Sequence, residues 1–208
     1  MNWDAGLLIY IQEHLRSDLL TPFMTVVTHS GDSGIIWIIL CIILVIIPKS
    51  RKVGIIAGTS IALEALLNNV CIKNIVARTR PYEEVEGLIN LIEKQVDYSF
   101  PSGHTGAAFA VAGALLVIAI AGLPVAAKTG KISRSKMTTA YKICAVLAVI
   151  YAAVIAFSRL YVGVHYPTDV LGGLILGIGT SIAAYFIYQI VIKKIAERKK
   201  ENIVQEAE

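Results

Sequence analysis

Residues 101–123 read PSGHTGAAFAVAGALLVIAIAGL, and this stretch decides what kind of fold the chain makes. From Gly103 to Leu123 it contains no Asp, Glu, Lys or Arg. A helix needs about 20 such residues to cross the hydrocarbon core of a bilayer, where each backbone N–H and C=O must be satisfied within the helix. The start of the helix is also marked. Pro101 suits its entry and Ser102 suits its cap. His104 then falls in the first turn, at one surface of the membrane.

Working outward, four further segments are long enough, or nearly so, to span: 33–48, 53–72, 139–157 and 168–192. The segment 33–48 is short between its charged flanks. The segment 5–28 differs, because Leu7, Leu8, Ile11, Leu15, Leu19 and Leu20 alternate with Gln12, Glu13, His14, Arg16 and Asp18. It reads as an amphipathic helix at the outer interface, broken near Pro22. A sixth, poorly apolar span packed on the others is the alternative. The expected fold is therefore all-α: an integral membrane helical bundle of five or six transmembrane helices. It is expected to form one domain over residues 1–208. Residues 1–30 would be interfacial, 33–192 would form the transmembrane core, and 193–208 a cytoplasmic basic tail.

With 56% apolar residues the chain is not patterned as a soluble globule. Its net charge of +4 does not mark a nucleic-acid partner, because the basic residues form short clusters between apolar runs. Cys41, Cys71 and Cys144 lack metal-ligand or disulfide spacing and read as small hydrophobes. Met1-Asn2-Trp3-Asp4 is not basic, so no cleavable signal peptide is expected. Lys49, Arg51 and Lys52 lie between the first two spans; Lys128, Lys131, Arg134 and Lys136 between the third and fourth; Lys193, Lys194, Arg198, Lys199 and Lys200 after the fifth. Alternating spans put all three groups on one side, which the positive-inside rule makes cytoplasmic. The loops 73–101 and 158–167 then face outward.

Those outward loops carry the candidate chemistry. Lys73, Arg80 and Arg159, with Arg78 as a possible fourth, can hold a phosphate, and arginine grips two oxygens at once. The bland alternative for Lys73, Arg78 and Arg80 is contact with lipid headgroups. Arg159 resists that reading, because it ends an apolar helix on the side where basic residues are scarce. Ser102, Gly103 and His104 open a helix, whose free N–H groups favour an anion, and His104 there can donate a proton. His165 and Asp169 are spaced so that the carboxylate can reach back to one imidazole nitrogen and leave the other as a nucleophile. Glu64 and Asn68 share a face of the second span and read as an interhelical hydrogen bond more readily than as an ion path.

These residues resemble the signature of the type 2 phosphatidic acid phosphatase superfamily. Lys73, six residues and Arg80-Pro81 match its first part. Pro101-Ser102-Gly103-His104 match the second, and Ser158-Arg159, five residues, His165, three residues and Asp169 match the third. The resemblance implies that Lys73, Arg80 and Arg159 bind the phosphoryl group, helped by Ser102 and the Gly103 backbone. It implies that His165 forms a phosphohistidine, that Asp169 orients it, and that His104 protonates the leaving group and then activates water. It implies no metal and no other cofactor. It also implies a bacterial plasma-membrane enzyme whose site faces outward and whose substrate is a membrane lipid phosphate, such as undecaprenyl pyrophosphate or phosphatidylglycerophosphate. A lipid-to-lipid phosphotransferase and a transporter with an anionic-headgroup site are the competing expectations.

Overall fold

A computed structural model describes residues 3–126 and 132–205. Helix α1 (Trp3–His14) is followed by a break at residues 15–19 and then α2 (Leu20–Ser30). The break therefore precedes Pro22. Pro22 itself sits in the first turn of α2, where a missing N–H costs no hydrogen bond. A single 3₁₀ turn, Asp32–Gly34, leads into α3 (Ile35–Ile46). Ser33 at φ +53° and Gly34 at φ +65° are left-handed, so the helical ladder cannot run through. The α2–α3 pair is bent by 47° as a result.

Helix α4 (Arg51–Ala65) passes through a π-helical turn (Leu66–Ile72) into the short α5 (Lys73–Val76), which Ala77 ends at φ +46°. After α6 (Pro81–Glu84) a long irregular loop leads to α7 (Gly103–Ala121). The strands β1 (Leu123–Ala126) and β2 (Ile132–Ser135) pair antiparallel, with Leu123 opposite Ser135. They occupy part of the expected basic loop, whose Lys128 and Lys131 lie outside the described residues. Helix α8 (Thr139–Tyr161) and helix α9 (Pro167–Gln205) complete the chain. At 39 residues α9 outruns its expected span, and Lys193 to Lys200 ride on its continuation. Four helical stretches among the described residues are long and apolar enough to cross a membrane, and the bent α2–α3 pair makes a fifth. The protein is a multi-pass helical membrane protein.

Helix α7 is the centre of the bundle. Its most apolar window is 72% buried, against 33% for each of the other three long stretches. Lipid is as apolar as leucine, so these helices are held together by close packing rather than by escape from water. Glycine allows that closeness. A Cβ on Gly177 of α9 would stand 2.6 Å from the Gly106 carbonyl oxygen and 2.8 Å from the Ala110 nitrogen of α7. A Cβ on Gly54 of α4 would stand 2.6 Å from the Val45 nitrogen of α3. Ile35, Ile39, Ile42 and Ile46, by contrast, lie exposed along α3, as lipid-facing residues do.

Gly177→Ala is expected to push α9 off α7 and cost about 1–3 kcal/mol, read as a lower melting temperature of the detergent-solubilised protein. Gly179, whose added Cβ would meet nothing within 4 Å, is the control, and Gly179→Ala should leave the melting temperature unchanged.

Candidate active site

The C-terminal ends of α5 and α8 and the N-terminal ends of α7 and α9 meet at one end of the bundle. Between them lies a cavity of about 650 Å³ whose lining includes Lys73, Arg80, Asp97, Gly103, His104, Arg159 and His165. The three segments of sequence that looked chemical are thus brought together in space.

Each cation reaches the cavity by a local device. The π turn before Lys73 adds a residue to the helical ladder and resets its phase, a feature frequent at functional sites. Arg80 is extended at φ −80°, ψ 148°, the conformation imposed on a residue before proline. It donates Nε to the Asp97 carbonyl (3.0 Å), Nη2 to Asp97 Oδ1 (2.5 Å) and Nη1 to the Val164 carbonyl (2.9 Å). Lys73 Nζ donates to Asp97 Oδ2. Burial would raise the Asp97 carboxyl, but Lys73 and Arg80 outweigh it and hold the group below the usual carboxylate range. Asp97 was one acid among several in its loop, and nothing in the sequence marked it as the counter-ion of two motif cations.

Arg159 is fully buried at the end of α8. Its Nη1 donates to Thr28 Oγ1 at 2.5 Å, while Nε and Nη2 have no hydrogen-bond partner. A buried guanidinium with unmet donors lines this cavity beside two more cations, an arrangement that calls for an anion.

His165 sits in the turn between α8 and α9, fully enclosed. Its Nε2 lies 3.2 Å from Arg80 Nη1. Arginine can only donate, so Nε2 accepts and is unprotonated, and the proton is on Nδ1. Burial first, then Arg80 and Arg159, push the imidazole well below its ordinary range, so the ring is neutral. The Asp169 carboxylate does not hydrogen-bond to it. Asp169 Oδ2 is 3.5 Å from His165 Nδ1 and instead accepts from the Tyr166 N–H (2.8 Å) and Ser99 Oγ (2.5 Å). The Tyr166 bond is the reach-back of a third helical residue to its own cap. Oδ1 accepts from Arg78 Nη1 at 2.6 Å. Arg78 is therefore no fourth lining cation. It bridges Asp169 and Asp4 Oδ2 (2.8 Å) and lies 3.8 Å above the Tyr166 ring.

Ser102 is buried and caps α7, accepting from the Thr105 N–H (3.4 Å) and Thr105 Oγ1 (3.0 Å). It stands behind the cavity wall, whereas Gly103 lines it. His104 Nε2 is bonded to Asp32 Oδ1 at 2.9 Å. Asp32 and Thr28 both come from the α2–α3 bend and were missed in the sequence. The available signal was an acid beside His29 between two apolar helices. Glu64 also lines the cavity, held by Asn68 Nδ2 at 2.7 Å, as an intrahelical rather than interhelical bond.

The model of the family described as "PAP2 superfamily" matches residues 53–193. Among curated proteins, an undecaprenyl-diphosphatase of Sulfolobus acidocaldarius is 33% identical over 166 residues, 79% of this chain and 70% of that protein. Phosphatidylglycerophosphatase B of Bacillus subtilis is 32% identical over 166 residues, 79% of this chain and 73% of that protein. Among solved structures, Aquifex aeolicus LpxE superposes with a TM-score of 0.67 at 27% identity, covering 88% of this chain and 95% of that one.

Asp97 holds two of the three cavity cations and is itself about half exposed. Asp97→Asn is expected to tighten inhibition by orthovanadate about threefold, a modest factor because solvent screens the carboxylate. The check is the vanadate concentration that halves activity in the variant and the parent.

Proposed function

The chain belongs to the PAP2 superfamily, and we propose that it hydrolyses a membrane lipid phosphate or pyrophosphate at the outer membrane face through a phosphohistidine. The observation that carries the chemistry is the unprotonated Nε2 of His165 beside the unmet donors of Arg159. In this reading the phosphoryl oxygens take the Arg159 donors and draw Arg80 and Lys73 away from Asp97. Arg80 Nη1 moves from His165 Nε2 to a phosphoryl oxygen. Nε2 then attacks phosphorus, the bond from phosphorus to the lipid oxygen breaks, and His104 gives that oxygen a proton. In the second half His104 takes a proton from water, the hydroxide attacks phosphorus, and the P–N bond breaks to free phosphate and His165. Lys73, Arg80 and Arg159 supply the charge neutralisation that metal ions supply in many phosphatases.

The lipid nature of the substrate is supported by the names of the relatives and by a groove. An apolar groove of about 730 Å³ between α3 and α4 shares Ile38, Ile61 and Ala62 with the catalytic cavity, giving a hydrocarbon chain a path to it from the bilayer. Undecaprenyl pyrophosphate and phosphatidylglycerophosphate are the substrates this reading favours, and phosphate release from a panel of lipid phosphates tests it.

His165→Ala should abolish turnover and phosphoenzyme, while His104→Ala should slow turnover by about 10²–10⁴-fold yet still trap an adduct from a substrate with a good leaving group. Acid-quenched incorporation of labelled phosphate distinguishes the two, and wild-type activity in both variants would overturn the assignment.

The outward orientation rests on the basic residues at the opposite end of the bundle, among them Lys49, Arg51, Lys52 and Lys136. Once Cys41, Cys71 and Cys144 are replaced, a cysteine at Glu86 should react with an impermeant thiol reagent in intact cells. One at Lys136 should react only after permeabilisation. The reverse pattern would put the site in the cytoplasm.

A further inference from the structure

We propose that Asp32, on the bend between α2 and α3, is a positioning residue that holds His104 in its working tautomer; this rests on the acid–base role read for His104 above. Asp32 Oδ1 lies 2.9 Å from His104 Nε2, and Oδ2 lies 2.9 Å from His29 Nδ1. A carboxylate only accepts, so both histidines donate to it. The proton on His104 Nε2 is thereby fixed, and Nδ1 is the nitrogen left to exchange a proton with the leaving oxygen and then with water. Asp32 stays ionised throughout and supports the positive charge that the ring carries before the first transfer and regains in the second. Arg159 lines the same cavity as this ring, and the Asp32 carboxylate attracts it as well.

The bend is built for that contact. Ser33 is a non-glycine residue at φ +53°, a conformation that costs about 1–3 kcal/mol and persists only when its surroundings require it. Gly31 is packed so closely on His104 that an added Cβ would sit 2.9 Å from the ring's Cδ2. The same bend delivers Thr28 to Arg159. A straight apolar helix across this region would avoid both the strain and the exposed acid. The break in the first span is instead the element that brings an acid to one catalytic candidate and a hydroxyl to another.

The test separates leaving groups. Single-turnover release is measured for dioleoyl phosphatidate, whose alkoxide needs a proton, and for p-nitrophenyl phosphate, whose phenolate does not. Asp32→Asn and Asp32→Ala should each slow the first by about 30-fold, a part of the full effect of a positioned acid. Each should slow the second by less than about threefold and leave KM for phosphatidate within about twofold. Asp32→Glu should recover part of the loss. Equal losses on both substrates, or no loss on either, would overturn the proposal and leave Asp32 a structural residue of the bend. His104→Ala is the reference. If it too slows both substrates equally, the reading of His104 as the acid fails, and the role of Asp32 fails with it.

Discussion

The backbone contact between α7 and α9 is the constraint on which the rest of this structure depends. Gly177 and Gly173 let α9 lie against α7 with no side chain between them, and an added Cβ on Gly173 would stand 2.5 Å from the Ser102 carbonyl oxygen. The Ser102 N–H then donates to the Asp169 carbonyl at 3.0 Å, which ties the first turn of one helix to the first turn of the other. His104 lies in the first turn of α7, and His165 lies two residues before α9. The separation of the two imidazoles is therefore set by glycine packing in the bundle. In a bilayer that is an economical way to fix a site, because apolar surface alone gives helices no preferred partner.

The second organising feature is uncompensated charge. Lys73, Arg80 and Arg159 are all buried at one end of the bundle. Asp97 answers the first two, and Thr28 gives Arg159 a single neutral acceptor. Breaking or omitting the partner of a buried charge is strongly destabilising. The fold tolerates the deficit at the mouth of a cavity, where an anionic headgroup can make it good. Asp169 shows the opposite treatment. Ser99, Tyr166 and Arg78 saturate it, and Asp4 of α1 holds Arg78 in turn. The N-terminal helix is thus wired to the acid that faces His165, which gives α1 a role beyond lying on a surface.

The bend between α2 and α3 shows how a membrane span can serve a site by being broken. A continuous ladder would satisfy every backbone group, and Ser33 and Gly34 in left-handed conformations forgo that. In exchange, Thr28 and Asp32 point to Arg159 and His104. Non-helical backbone at membrane depth is tolerated where it is covered by protein or lines a polar cavity, and here it does the latter.

Much of this was legible in the sequence. Apolar runs free of charge had to become helices, because lipid offers the backbone no other partner, and their placement between basic clusters followed from the same run lengths. Three spaced motifs named Lys73, Arg80, His104, Arg159, His165 and Asp169, and the fold brings all six to one end of the bundle. What the sequence could not supply was pairing across distance. Arg78 looks like Arg80 in the chain, yet one turns to Asp4 and Asp169 while the other lines the cavity. Ser102, which reads as a phosphate ligand, also caps α7 through its hydroxyl oxygen. Asp32 and Asp97 lie outside every motif and became the partners of His104, Lys73 and Arg80. Run length and local spacing act over a few turns and can be read along the chain. Which acid meets which base depends on helix ends that only packing brings together, so those pairs were decided by the tertiary structure alone.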